Sequence, residues 1–172
     1  MDLWKLYSRI VDMRLALLPI LIYLSLCVCI EVSYASVTEQ TDEILALKVA
    51  PKGIVIELIE SQESDIQWAM QAVQRLSDKL HKKFPTMPIV VVSHGVELFA
   101  LSLSERKNYP KVHSLVEQLN QKNIRVEVCG THASWRLKQE EHFPSYVRLV
   151  DEGPAQITFY EDLGYLLIEM KK

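Results

Sequence analysis

The sequence predicts a single three-layer α/β domain built on a mostly parallel sheet of about five strands, and three observations carry that prediction. Short β-branched runs alternate with segments whose apolar residues recur every three or four positions, the pattern of βαβ units with right-handed crossovers. One run, Pro88-Ile89-Val90-Val91-Val92-Ser93, is almost continuously apolar, as expected of a central strand covered on both faces. The chain of 172 residues, 49% hydrophobic and 24% charged, has the composition of one globular domain once its N-terminal segment is set aside.

That segment, residues 1–35, has the layout of a secretory signal peptide. Lys5, Arg9 and Arg14 precede an apolar run from Leu15 to Ile30, and Ser33 and Ala35 supply the small residues of a cleavage site before Ser36. The run is shorter than the roughly 20 residues a spanning helix needs, and it contains Pro19. The expectation is export to the periplasm with cleavage near Ala35; an uncleaved segment anchoring the domain to the membrane is the alternative. Cleavage leaves no membrane association. It also removes Cys27 and Cys29, so Cys129 is the one thiol of the mature chain and no internal disulfide can form. The net charge of −3 argues against a nucleic-acid partner.

Residues 36–52 show little periodicity and read as a flexible lead-in to a domain spanning 53–172. Gly53 to Glu60 form the first strand, being β-branched and of strand length. Ile66, Ala69, Met70, Val73, Leu76 and Leu80 then mark an amphipathic helix over about 65–83, with Ser64 as a cap, lysines near its C-terminus and Pro85 ending it. The second strand, from Pro88, runs into His94-Gly95. An apolar helical or irregular piece covers 96–104 and a polar loop 104–109. Pro110 starts a helix carrying Val112, Leu115, Val116 and Leu119. Ile124 to Cys129 is the third strand, followed by a glycine turn and a short helix from Thr131 to about Gln139. Tyr146–Val150, Pro154–Leu163 and Gly164–Glu169 read as strand, helix and strand.

Open parallel sheets bind ligands beyond the carboxyl ends of their strands. His94 ends the second strand and Cys129 the third, so neighbouring strands would bring His94, Cys129 and His132 to one rim. With Thr131 as the helix cap, free backbone N–H groups would lie beside the sulfur and favour negative charge on it. An imidazole nearby can shuttle the proton. Free cysteines are also common as small buried hydrophobes, so Cys129 reads as either reactive or structural, and His94 as either a shuttle or a turn histidine. His81, His113 and His142 read as surface residues, and Trp68 and Trp135 as core or interface aromatics. Glycine-rich phosphate loops and a Gly-x-Ser-x-Gly elbow do not occur. His94, Cys129 and His132 are metal-ligand types in no known ligand spacing.

Val90-Val91-Val92-Ser93-His94-Gly95, Leu115–Asn123 leading into Ile124-Arg125-Val126-Glu127-Val128-Cys129-Gly130, and Val150-Asp151-Glu152-Gly153-Pro154-Ala155 leading into Asp162-Leu163-Gly164-Tyr165 together resemble the DsrE/DsrF-like family, which includes TusD-type sulfur-relay proteins and exported uncharacterised relatives. The resemblance spans about residues 53–170. It implies a compact, flavodoxin-like α/β domain, commonly assembled into homo-oligomers. In family members with an established role, a cysteine at the position of Cys129 accepts sulfur as a persulfide and passes it on. The resemblance therefore implies a sulfur carrier or sulfurtransferase-like protein with sulfur donor and acceptor proteins as partners, no cofactor and no metal, and Cys129, His94 and His132 as the site. The relay members are cytoplasmic and differ at Gly130-Thr131-His132. A non-catalytic oligomeric binding or assembly module with a structural cysteine is the alternative function, and a small-ligand or metal site at the same rim a third.

Overall fold

β-branched residues stiffen χ1 and pack well on a pleated surface, and the runs that carry them form the sheet. The computed structural model describes residues 36–137 and 143–172; the signal-peptide reading of residues 1–35 and His142 lie outside them, and the helix predicted to run from Thr131 to about Gln139 is corrected: it ends at Ser134, with Trp135 as its C-cap. The five strands are β1 (Ile54–Leu58), β2 (Ile89–Ser93), β3 (Ile124–Cys129), β4 (Val147–Val150) and β5 (Leu166–Met170). They lie in the order β4-β3-β2-β1-β5, and every pair is parallel.

The helices are α1 (Val37–Ala46), α2 (Asp65–Lys83), α3 (Pro110–Gln121), α4 (Gly130–Ser134) and α5 (Gly153–Asp162). Two short 3₁₀ turns, Val96–Leu101 and Ser104–Lys107, fill the stretch read as irregular chain and polar loop. The main core lies on one face of the sheet. Ile54, Ile56, Val91 and Val126 meet Ile66, Met70, Val73 and Leu80 of α2 and Val112, Val116 and Leu119 of α3 there. On the other face Val55, Val90 and Val92 pack under Ile157 and Tyr160 of α5. The chain steps from β1 to β4 in one direction and α5 then returns it to the far side of β1, so successive crossovers keep the same hand only by using opposite faces.

The lead-in expected at residues 36–52 is corrected in part: Val37–Ala46 is helical. Ser36 and Glu39 form a reciprocal capping box, in which the Ser36 side chain accepts from the Glu39 N–H while the Glu39 carboxylate accepts from the Ser36 N–H at 2.7 Å. Glu39 lies below its ordinary carboxylate range for that reason. Gln40 of α1 donates to Glu169 O and accepts from Glu169 N–H, so its amide pairs with the free edge of β5 as another strand would. Ser64 stands at the start of α2 without making a side-chain cap bond. Between α3 and β3 the chain reverses through Asn123, whose φ of 61° is left-handed, a region asparagine tolerates better than most residues. Among the described residues no helix is long and apolar enough to cross a membrane.

Candidate functional site

The register of the central strands decides which side chains meet at the carboxyl edge. Ser93 of β2 pairs with both Leu58 of β1 and Val128 of β3, so the residues that follow Ser93 and Val128, His94 and Cys129, leave adjacent strands at the same level. Glu127 and Arg125 face Tyr160 of α5, whereas Cys129, at the very end of β3, packs with Val128 and Ala133 in the main core and also lies beside the first residue of α5. His94, Cys129 and His132 do line one pocket, of about 260 Å³, together with Thr131, Trp135, Glu152 and Pro154.

Gly153, the first residue of α5, packs against His94 and Cys129. A Cβ built on it would come 2.6 Å from His94 Cβ and 3.3 Å from Cys129 Cβ, so no side chain fits there and the two residues are near neighbours across it. The N-terminal end of α5, the positive end of its dipole, is thereby held against both.

Cys129 is itself the cap of α4. Its sulfur accepts a hydrogen bond from the backbone N–H of His132 at 3.4 Å. Thr131, expected in that role, instead donates through both its N–H and its hydroxyl to Asp151 O, tying α4 to the loop before α5. The helix starts directly at Gly130, where an added Cβ would meet Val150 O at 2.9 Å. Cys129 is 5% exposed and lines the pocket.

His94 is fixed at three points. Its N–H donates to Leu58 O, its carbonyl accepts from His132 Nδ1 at 2.7 Å, and its ring Nε2 meets Glu57 Oε1 at 2.9 Å. Glu57, on β1, was no part of the sequence-derived site. Its hydrogen bond with His94 draws its carboxyl below the usual glutamate range, against the opposing effect of burial. A charge inside a β-branched strand covered on both faces was the signal that could have found it. The His132 ring stands edge-on to Phe99 and tilted against Trp135, with centroids 5.4 and 4.7 Å away. Trp135 is 74% exposed at the pocket mouth.

Glu97 was missed as well. Its fully buried carboxylate accepts from the Ser93 hydroxyl at 2.6 Å, Gly95 N–H at 3.0 Å and Glu60 N–H at 2.7 Å, and so ties together the loops leaving β1 and β2. Gly95 is required beside it, because a Cβ would strike Glu60 backbone atoms at 2.5 and 2.6 Å. His113, read as a surface residue, is buried: Tyr146 Oη lies 2.8 Å from Nδ1 and Ala100 O lies 3.0 Å from Nε2. His81 is half-buried and bonds Met87 O. Trp68 packs partly buried on the core. Among the described residues, no group of three or more His, Cys, Asp and Glu side chains is arranged to hold a metal ion.

No family model matches the sequence, and no curated protein matches it. The fold has solved counterparts. A protein of unknown function, MTH1491 from Methanobacterium thermoautotrophicum, is similar with a TM-score of 0.54 at 18% identity, over 68% of this chain and 97% of that one. The ychN protein from E. coli is similar with a TM-score of 0.50 at 12% identity, over 69% and 99%. At such identities the likeness is one of fold: a three-layer α/β domain on an all-parallel sheet of five strands.

Proposed function

We propose that this protein is an exported persulfide carrier that uses Cys129. The observation that carries the reading is the placement of the sulfur, which ends a central strand, receives a backbone N–H and opens onto a pocket shared with two imidazoles. Charge on sulfur is stabilised by such donors and by the adjoining start of α5. The thiolate attacks the outer sulfur of a donor, carries it as Cys129–S–SH, and yields it to the thiol of an acceptor protein. His94 and His132 serve the proton traffic, and the transfer requires no cofactor. Residues 1–35 direct the domain to the periplasm, or hold it at the membrane if they are retained. Assembly into a homo-oligomer is part of the same reading.

The burial of Cys129 favours a second reading, a non-catalytic oligomeric module in which the cysteine only packs. Alkylation of the folded chain by a small reagent near neutral pH separates the two. Labelling within about tenfold of the rate of a free thiol supports the carrier, since the thiolate is the reacting form. A thiol that stays inert until the protein is denatured leaves the module.

A further inference from the structure

We propose that Glu57 is the positioning residue for His94, and that Glu57, His94 and Cys129 form an acid, imidazole and thiol line across three adjacent strand ends that moves the thiol proton. The proposal rests on the persulfide reading for the reaction served, while the contact between Glu57 and His94 stands without it.

β1, β2 and β3 are neighbours, and each contributes one member from its carboxyl end. Glu57 shares the α5 face with Val55 by strand alternation. An ionised carboxylate only accepts hydrogen bonds, so the 2.9 Å contact assigns the His94 proton to Nε2. Nδ1 is then the ring nitrogen with a free lone pair; it hydrogen-bonds none of the described residues, Cys129 Sγ included, and shares with that sulfur only the pocket both residues line. The backbone of His94 is held by Leu58 and His132, so the ring has little freedom to lose when it acts. Both side chains are largely shielded, at 12% and 17% exposure, which keeps their interaction strong.

The charged and titratable groups around His94 are Glu57 from β1, Cys129 from β3, His132 from α4 and Glu152 just before α5, with Lys171 beyond β5 acting on Glu57. In the transfer, Cys129–SH gives its proton to His94 Nδ1 and the thiolate attacks the outer sulfur of a donor R–S–SH. The Cys129 S–S bond forms as the donor S–S bond breaks, and R–S⁻ takes the proton from Nδ1 to leave as R–SH. Glu57 remains ionised and stabilises the imidazolium that exists between the two proton movements. No electrons enter or leave.

The test is the rate of Cys129 alkylation by iodoacetamide in the full chain from about pH 5 to 9, spanning the range in which imidazoles and thiols titrate, for the native protein and Glu57→Gln. The expected result is a fall of about tenfold or more near neutral pH in Glu57→Gln, the scale on which positioned proton transfer acts, with the inflection moved to higher pH. Superimposable profiles overturn the proposal. Nitrogen-15 spectra of the native chain test it independently of whether the variant folds: neutral His94 protonated on Nε2 is expected, and protonation on Nδ1 overturns it. Iodoacetamide carries no transferable sulfur. A protein that takes up no sulfur yet shows the shifted profile therefore retains the line and loses the persulfide reading.

Discussion

Gly153 and His94 are packed so closely that a single methyl group on the glycine would lie 2.6 Å from the histidine Cβ. Neither partner can yield easily, because His94 is tied at its N–H, its carbonyl and its ring, and Gly153 begins a helix whose Ile157 and Tyr160 are buried. Gly153→Ala is expected to destabilise the protein by about 1–3 kcal/mol, the cost of overpacking a filled interior. Denaturant unfolding checks this: the midpoint falls while the slope is unchanged. A midpoint equal to that of the native protein would mean that α5 does not press on the site as described.

Removing the Glu97 side chain leaves the N–H groups of Glu60 and Gly95 without their acceptor at a buried loop crossing. Glu97→Ala is expected to cost about 3 kcal/mol or more, since each unsatisfied buried donor costs about 1–3 kcal/mol. Glu97→Gln, which keeps an acceptor oxygen, should lose less. Thermal melting of the two variants against the native chain measures the difference.

Burial lowers the His113 pKa from its ordinary value of 6.5, outweighing the favourable bond to Ala100 O. The unfolded chain then binds a proton that the folded one refuses. Stability is therefore full above 6.5 and declines as pH falls from there towards the folded value, below which this contribution levels off. Glu57 acts in a lower window: its depressed carboxyl stabilises the fold above the ordinary value of 4.5, and that stability is lost as pH falls through the folded value. Melting temperatures should thus fall in two acid steps. His113→Gln should flatten the upper one alone, and a variant that retains the full slope between about pH 7 and 5 would contradict the assignment.

The strands and the long helices were legible because their residues state a period: Val90 to Val92 admit a covered strand, and Ile66 to Leu80 an apolar stripe. The helix at 37–46 was written as Ser36 and Glu39, three residues apart, with Thr41 and Ile44 as its buried positions, but its apolar content is too thin for a periodicity reading. His94, Cys129 and His132 were singled out because strand ends are where such sheets bind, and the three share one pocket. Glu57 lies 37 residues from His94, and only the parallel register of β1 and β2 brings them together. His113 sits on a helix whose stripe is Val112, Val116 and Leu119; its burial depends on Ala100 and Tyr146, which arrive from other elements.

The most direct measurement is the intact mass of the purified protein, with and without a polysulfide or thiosulfate donor, beside Cys129→Ser. A persulfide on a thiol that the site activates should appear as a gain of one sulfur mass that a reductant removes and that Cys129→Ser never shows. A folded native protein that gains no sulfur from any donor would contradict the carrier function and leave Cys129 as a packing residue of the domain.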